Sequence, residues 1–560
     1  MKRTHVTIML ALAGTLALAG WCHDAIAAAY RSPLDVVASP DGGKLYVSDK
    51  TARSVIFLDA VGAKVLGEVP LPGEPHGLAL AADGGTLYVA ERSAHAVALI
   101  DTGQATVAGR IDVGFWPVAV AIDEVRGRLY TSNRGDHTVS VVDLAQRKEI
   151  KRVPLVREPC SLAVTPDGAT LVVTNLLPLG PGTDPQLAAE VTLVDAAAMT
   201  EKARIKLPPG STVVRSVCIS PDGKWAYVIH TLGRFNLPIT QLERGWVHTY
   251  ALSIIDVPAA SLLATTLLDD LSGGAADPWD IVSSADGRRL WISHSGTHEV
   301  SLVYVGHVHE LLEGNVPEEL AKLSDGPRPN IWVRISQDRG VIPKLADDLT
   351  ALYIAGAIRR VSTGGIGPRG LALSPDGKRL YAANHFSGTI SVLDAATGDS
   401  LQNIPLGLQP EPDAARRGEI YFHDARHCFQ NWHSCATCHP DARVDGLPWD
   451  FMRDGIGNGK DVISMVYTHH TSPHNWRATR ADPRQCMETG VVGSHLIVPE
   501  PSDVDDLLAY VESLQPEANP NLPQLSEASN RGKVVFEGKA DCAKCHPAPY
   551  FTDQQMHNLA

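Results

Sequence analysis

One unit recurs seven times between residues 30 and 405, and it constrains the fold more than any other feature. Each copy has an alternating apolar segment, a turn containing Gly, a segment rich in Leu, Tyr and Val, and a segment ending in Asp. The turns are Asp41-Gly42, Asp83-Gly84, Arg126-Gly127, Asp167-Gly168, Asp222-Gly223, Asp286-Gly287 and Asp376-Gly377. Glycine turns between segments of period two predict hairpins, and four short strands in about 40–45 residues make one propeller blade. The sequence therefore predicts an all-β, seven-bladed propeller over residues 30–405.

Two copies carry the residues of a known family most clearly. Residues 129–133 have the sequence Leu-Tyr-Thr-Ser-Asn, and residues 380–384 have Leu-Tyr-Ala-Ala-Asn. Both resemble the YVTN family of β-propeller repeats, and the resemblance covers about two thirds of the chain. It implies architecture but no particular activity, because propellers serve many unrelated functions.

Histidine replaces asparagine after the second strand of two repeats. The position of Asn133, Asn175 and Asn384 is His230 in blade five and His294 in blade six, and His385 lies beside it in blade seven. Two interpretations stay open. The imidazoles could converge with His298 on a metal or a partner, or each could hydrogen-bond locally as Asn does in a turn.

Two insertions lengthen blades five and six, at residues 231–251 and 304–365. The second contains helix-like runs at Pro317–Leu323 and Leu345–Ile358, which predict ordered structure. Long insertions in a compact fold often form functional surfaces. We expect this side of the ring to be a docking surface for the next domain.

The first 27 residues have the pattern of an export signal. Lys2 and Arg3 precede an apolar run from Val6 to Trp21, and residues 25–27 are Ala-Ile-Ala. This pattern predicts a cleaved signal peptide and a soluble periplasmic protein without a transmembrane span, the alternative being an uncleaved anchor. The formal net charge of −14 argues against a nucleic-acid partner.

After residue 410 the sequence contains two Cys-x-x-Cys-His motifs. They are Cys435-Ala436-Thr437-Cys438-His439 and Cys542-Ala543-Lys544-Cys545-His546. In an exported chain this motif indicates covalent haem c, with both thiols bound to the porphyrin and the adjacent His binding iron. Zinc is the rival for paired cysteines, but the following His and the wide separation disfavour it. The motifs predict two haem c groups, with His439 and His546 as axial iron ligands.

Similar segments precede both motifs, which indicates a duplicated module. Residues 416–422 and 530–536 both read as an amphipathic helix leading into the haem loop. We expect a mainly α-helical dihaem domain, with a first module at residues 413–525 and a second at 526–560. Only fourteen residues follow His546, so the second module is expected to be incomplete at its C-terminus.

The tail resembles the bacterial dihaem cytochrome c peroxidases and their methylamine-dehydrogenase-maturation relatives. The matching segments are 417–439, 445–446, 532–546, 551–554 and 557–558. The resemblance implies peroxide reduction at the first haem and electron entry through the second. By position it also assigns catalytic roles to Trp476, Gln485 and Glu488. His469, His470 or His474 could close the open iron position of the first haem.

Three functions remain possible for this architecture. The first is a peroxidase-like oxidoreductase that takes electrons from a small cytochrome or cupredoxin and reduces an oxidant such as peroxide. The second is redox chemistry of nitrogen compounds, since hydrazine synthases, which this chain resembles, also combine a seven-bladed propeller with a peroxidase-like dihaem module. The third is a non-catalytic electron-transfer cytochrome.

Four further cysteines lie in the predicted mature chain outside the motifs. Cys428 and Cys486 flank the first motif, and a disulfide between them is about as probable as two free thiols in an oxidising compartment. Cys160 and Cys218 are expected to be buried apolar residues of the propeller.

Overall fold

The computed structural model describes residues 30–237, 247–325, 327–450, 458–517 and 526–557. The predicted signal peptide, residues 1–27, lies outside them. Seven four-stranded antiparallel sheets follow one another from Pro33 to Pro405. The first strand of each sheet contacts the first strand of the next, and the seventh contacts the first, so the sheets close into a ring. The predicted seven-bladed propeller is confirmed.

Each blade consists of four consecutive strands. Blades one to three contain Pro33–Ala38, Lys44–Asp49, Ser54–Asp59 and Lys64–Pro70; Pro75–Leu80, Thr86–Glu91, Ala96–Asp101 and Thr106–Asp112; and Pro117–Asp123, Arg128–Asn133, Thr138–Asp143 and Lys148–Pro154. Blades four and five contain Pro159–Val164, Thr170–Asn175, Glu190–Asp195 and Thr200–Lys206; and Ser211–Ile219, Trp225–Gly233, His248–Asp256 and Ser261–Leu267. Blades six and seven contain Pro278–Ser283, Leu290–His294, Glu299–Val303 and Ile358–Ser362; and Pro368–Leu373, Arg379–Asn384, Thr389–Asp394 and Ser400–Pro405.

The repeated turn explains why each blade begins as a hairpin. In blade one, Gly42 has φ of 70°, a conformation that L side chains rarely adopt. The preceding Asp41 accepts hydrogen bonds from the Ser39 hydroxyl (2.5 Å) and the Gly43 amide (2.9 Å). The second strand that follows is buried on both faces, because each blade packs between two neighbours. The outermost strand, Lys64–Pro70, is mostly exposed.

The ring closes by side-chain packing between blades seven and one. The apolar cluster at this seam includes Leu45 and Ile56 from blade one and Tyr381 and Ile390 from blade seven. No strand is exchanged between the two sheets in the described part of the chain. Closure of the ring therefore depends on side-chain contacts between the two blades, and this apolar cluster is one set of them.

The second insertion is ordered and mostly helical. It lies between the third and fourth strands of blade six and contains the helices α1 (Val305–Leu312), α2 (Glu318–Ala321), α3 (Ile331–Gln337) and α4 (Ala351–Ile354). Further short elements of the propeller region are the 3-10 helices Arg92–Ala94 and Arg339–Asp347 and the strands Ser324–Asp325 and Arg328–Pro329. The buried Trp332 packs in the same cluster as the side chains of blades five and six. The expectation of order in this insertion is confirmed.

The tail consists of short helices and loops. Its α-helices are α5 (Ala414–Phe422), α6 (Cys435–Cys438), α7 (Pro483–Gly490), α8 (Pro501–Ser513) and α9 (Glu527–Glu537). Its other elements are the 3-10 helices Ala425–His427, Phe429–Asn431, Pro440–Ala442, Thr468–His470 and Cys542–Lys544, the π-helix Val491–His495, and the strands Pro448–Trp449 and Lys460–Asp461. Helices α5 and α8 cross at Gly418, where a Cβ would clash with the Asp506 carbonyl oxygen. Among the described residues, no helix is long and apolar enough to cross a membrane.

Candidate functional site

The first Cys-x-x-Cys-His motif lies against the propeller. Its short helix α6 is N-capped by Ser434, whose side chain and that of Thr437 form a capping box. Both hydroxyls also donate to one propeller carboxylate, that of Asp277, at 2.6 and 2.7 Å. Tyr250 of blade five donates to the Trp432 carbonyl at 2.9 Å. The propeller therefore holds the start of this motif directly.

An apolar interface extends this contact along blade five and the insertion beside it. Trp432, Leu447 and Trp449 of the tail are buried in one cluster with propeller side chains that include Phe235 and Val247. The expected docking surface for the next domain is thus present on this side of the ring. The central part of this insertion, residues 238–246, lies outside the described residues.

A cavity of about 340 Å³ opens beside the first motif. Cys435, Cys438 and His439 line it, together with Trp476 and Cys486 and a mostly apolar wall. Its size falls within the range of small-molecule and cofactor sites. The two thiols and the imidazole that the sequence assigns to one haem thus face one cavity.

His439 is oriented by a hydrogen bond at one ring nitrogen. Its Nδ1 lies 3.1 Å from the carbonyl oxygen of Arg443, and since a carbonyl can only accept, Nδ1 carries the proton. Burial lowers the pKa of His439, so the ring is neutral at pH 7. The unprotonated Nε2 is the form that binds iron, and a hydrogen bond at the other nitrogen fixes the tautomer and the ring orientation.

The second motif repeats this hydrogen bond. His546 Nδ1 lies 2.9 Å from the carbonyl oxygen of Phe551, so Nε2 is again left unprotonated in the neutral ring. The motif follows helix α9 and is much more exposed than the first. Tyr550, the residue before Phe551, stacks on His470 with ring centroids 4.7 Å apart, and so the loop after the second motif contacts the segment beside the first cavity.

Three buried histidines surround the first pair of thiols. His248 Nε2 lies 3.4 Å from the Cys438 sulfur, and His495 Nε2 lies 3.7 Å from the Cys435 sulfur. The His433 ring lies between them, with centroid distances of 5.0 and 4.9 Å. Burial lowers the pKa of His248 to about 3 and that of His495 to about 4. All three are neutral near pH 7, and His248 Nδ1 is buried without a hydrogen-bond partner.

Sequence reasoning did not find these three histidines. His433 lies two residues before the first motif, but the other two are distant in the chain, and His248 belongs to the propeller. The one sequence signal for His248 is its place at the end of an insertion expected to face the next domain. Neither the motif nor the family resemblance indicated it.

The predicted catalytic residues occupy different surroundings. Trp476 lines the cavity, is 57% exposed, and donates from Nε1 to the Asp461 carbonyl at 2.7 Å. Gln485 and Glu488 lie on helix α7 with exposed side chains, and neither lines the cavity. Of the three histidines suggested as a closing ligand, His474 lines the cavity.

The histidines of the propeller repeats hydrogen-bond locally. His230 and His294 contact the hydroxyls of Ser253 and Ser301 at 2.8 and 2.7 Å, respectively. His385 Nδ1 lies 3.1 Å from the Pro33 carbonyl oxygen. His298 Nε2 lies 3.3 Å from the Asp424 carboxylate. In the chain as described, these histidines do not form a group able to hold a metal ion. The local interpretation is confirmed for His230 and His294.

The four cysteines outside the motifs that the structure describes are free thiols. Cys428 is buried with its sulfur 3.8 Å from the His433 ring, and Cys486 lines the cavity, so the disulfide considered between them is absent. Cys160 and Cys218 are half-buried rather than fully buried, and both pack against apolar clusters.

A network of ion pairs joins the loop after His439 to the propeller. Both Nη atoms of Arg443 bind the Glu158 carboxylate, at 3.2 and 2.5 Å. Arg134 binds the same carboxylate through Nε at 2.9 Å and Asp441 through Nη2 at 2.7 Å. Arg215 adds a contact to Asp441 at 3.3 Å. The loop after His439 is thus held by charges from blades three to five.

The chain is similar to proteins of two kinds, although no family model matches it. Hydrazine synthase subunit beta of Kuenenia stuttgartiensis is 37% identical over 391 residues, which are 69% of this chain and 93% of that protein. Hydrazine synthase subunit gamma of the same organism is 25% identical over 169 residues (26% of this chain, 48% of that protein). Cytochrome-c peroxidase IdrP2 of Denitromonas iodatirespirans is 24% identical over 221 residues (31% of this chain, 57% of that protein). The chain spans about half the length of these last two.

A solved structure supports the same relationship. The Kuenenia stuttgartiensis hydrazine synthase structure contains a chain that is 28% identical, with a TM-score of 0.57 over 66% of this chain and 96% of that one. The subunit beta similarity covers nearly the whole of that relative at more than a third identity. This chain therefore belongs to the hydrazine synthase subunit beta family.

Proposed function

We propose that the chain is an exported c-type haem protein that performs redox chemistry on a small nitrogen compound. The observation that carries the haem assignment is the arrangement at the first motif. Two thiols and the neutral imidazole of His439, whose Nδ1 donates to the Arg443 carbonyl, line one cavity. The second motif has the same imidazole hydrogen bond, which supports a second haem c on Cys542, Cys545 and His546.

Nitrogen chemistry is favoured over the other substrate classes by the relatives. The chain is similar to two different subunits of hydrazine synthase. The alternative, peroxide reduction, is supported by the similarity to a cytochrome-c peroxidase and by Trp476 in the cavity wall. Peroxide cleavage requires a positioned acid–base group, and the exposed Gln485 and Glu488 do not line the cavity. We therefore rank the peroxidase second.

The chain's own residues supply binding, orientation and exclusion of water. Bound haem would supply one-electron chemistry and an iron site for the substrate. Cys435 and Cys438 would hold it covalently, and His439 would bind the iron through Nε2. The neutral rings of His248, His433 and His495 offer hydrogen-bonding nitrogens to a small uncharged molecule in a mostly apolar cavity. The net charge of −14 suits a basic electron-donating cytochrome.

Haem counting tests the cofactor assignment. The protein is produced with its leader in a host that attaches haem c, and covalent haem is measured as the pyridine haemochrome. We expect two haems in the wild type and one in each double variant, Cys435→Ser/Cys438→Ser and Cys542→Ser/Cys545→Ser. The variant Cys160→Ser, which alters a propeller thiol, should keep two. A wild type without covalent haem would exclude the proposal.

Turnover assays then separate the substrate classes. The purified dihaem protein is mixed with a reduced small cytochrome and offered hydroxylamine, nitric oxide or hydrogen peroxide. We expect oxidation of the donor with a nitrogen substrate and little with peroxide. Fast peroxide turnover that is lost in Trp476→Phe would instead favour the peroxidase. Two ligand-inert, six-coordinate haems would favour the electron-transfer protein.

A further inference from the structure

The loop that carries the hydrogen-bond acceptor of His439 has an unfavourable backbone. Asp441 and Ala442, which precede Arg443, have φ of 53° and 57°. Left-handed conformations cost roughly 1–2 kcal/mol for most residues other than glycine, such as Ala442, and less for Asp. A loop of this shape persists only where its surroundings impose it. The position of the Arg443 carbonyl, and with it the hydrogen bond to His439 Nδ1, therefore depends on contacts made from outside the loop.

Those contacts come from the propeller and act on both ends of the strained segment. Glu158 is 7% exposed and binds Arg443 through both carboxylate oxygens. Arg134, also 7% exposed, joins Glu158 to Asp441. A bidentate pair between an arginine and a buried carboxylate fixes geometry as well as charge.

The propeller groups are themselves rigidly placed. Arg134 directly follows the second strand of blade three, and the Glu158 amide donates to His137 Nδ1 at 3.1 Å. The guanidinium of Arg215 lies 4.3 Å from the Trp279 ring centroid while it binds Asp441. The loop is thus held by groups whose own positions are set by the ring.

We propose that Glu158 is a positioning residue for the axial histidine, acting through Arg443 to keep the Nδ1 hydrogen bond of His439 in place. This inference rests on the proposed haem at the first motif. A hydrogen bond at Nδ1 raises the basicity of a ligating imidazole and thereby favours the oxidised metal. Loosening the loop should therefore raise the midpoint potential of the first haem. The propeller then tunes the haem site as well as supporting the tail.

The test uses two substitutions of opposite charge effect. Glu158→Gln removes a negative charge and Arg443→Gln removes a positive one, while both break the bidentate pair and keep the Arg443 backbone carbonyl. Spectroelectrochemical titration gives the midpoint potential of each haem, assigned with the Cys542→Ser/Cys545→Ser protein. We expect both substitutions to raise the potential of the first haem and leave that of the second unchanged. Potentials that move in opposite directions, as through-space charge alone dictates, would overturn the proposal, as would no shift in either.

The chain offers a matched control pair in blade four. Glu201 and Arg204 form a surface ion pair at 2.9 Å, and their substitution by Gln removes the same charges far from the loop. Both haem potentials should stay unchanged in these proteins. Arg443→Lys keeps the charge and is expected to give a smaller upward shift than Arg443→Gln, which provides a milder variant if Gln prevents haem attachment. A wild type without haem at Cys435 and Cys438 would instead defeat the proposed function on which this inference rests.

Discussion

Asparagine and histidine make equivalent hydrogen bonds at one repeated position of the propeller. Asn133 and Asn384 donate to Ser140 and Ser391 at 2.8 and 2.7 Å, and His294 contacts Ser301 at 2.7 Å. All three side chains join the end of the second strand to the third strand of the blade. The difference is that histidine can bind a proton, and burial, with Arg360 nearby, lowers the pKa of His294 to about 3.

Replacing His294 by asparagine should reduce the acid sensitivity of the propeller. In the unfolded chain the histidine binds a proton below a pKa of about 6.5, whereas the folded protein resists protonation down to about pH 3. Stability therefore falls with falling pH in this window, by up to about 1.4 kcal/mol per pH unit from this residue. His294→Asn should lose that component and change little at pH 7.5. Urea unfolding at pH 7.5, 5.5 and 4.5 checks this, and an equal pH dependence in both proteins would refute it.

Helix α6 shows how an element of one turn becomes stable. It spans only Cys435–Cys438, and isolated helices of this length do not form in water. The Asp277 carboxylate accepts hydrogen bonds from the hydroxyls of both capping residues, Ser434 and Thr437, and so anchors the helix to the propeller. The spacing of the two thiols is thus set partly by a residue about 160 positions earlier in the chain.

Asp277→Asn should therefore weaken the first haem motif more than the ring. The amide has one acceptor oxygen for two hydroxyl donors, and the loss of a charge-assisted hydrogen bond costs about 1–3 kcal/mol. We expect a lower thermal unfolding midpoint and less covalent haem at Cys435 and Cys438, with the second motif unaffected. Asp376→Asn is the control, because Asp376 accepts from Ser374 at 2.6 Å in a blade turn remote from the motif. Equal effects of the two substitutions on haem content would contradict the assigned role.

The elements were more predictable than the contacts between them. Turn glycines and alternating apolar residues predicted seven blades because both signals are local, and Cys-x-x-Cys-His predicted two similar motifs for the same reason. The contacts of Asp277, Glu158 and His248 with the first motif and the residues that flank it span roughly 160 to 285 residues of sequence. No local pattern encodes such a contact. The propeller residues that contact the first motif and its flanking loop could be identified only from the folded ring, which places blades three to six beside them.

The tail contributes to the propeller at the scale of the whole molecule. Residues just after the last blade contact residues just before the first strand: Gln409 bonds Arg31, Asp413 bonds Tyr30, and Arg416 bonds Ser32 at 3.1 Å. Arg416 is 6% exposed. This segment covers the seam between blades seven and one, where the sheets exchange no strand. The beginning of the tail is therefore part of the ring closure.

A chain that ends at residue 408 should keep all seven sheets and close less firmly. It loses the seam contacts of residues 409–416 while the apolar cluster between the two blades remains. We expect a lower thermal midpoint and faster proteolysis in residues 30–50 than in a chain that ends at residue 517, which keeps the seam contacts but omits the second motif. Limited proteolysis followed by mass spectrometry locates the cuts. Identical cleavage of both proteins would show that packing alone closes the ring.

The contacts at the seam between blades seven and one also form late in folding. They join residues about 380 positions apart, so they cannot form until nearly the whole ring has been synthesised. Until blade seven packs against blade one, the apolar face around Leu45 and Ile56 is uncovered and open to aggregation. The blade that is made first is therefore the one whose apolar face is covered last.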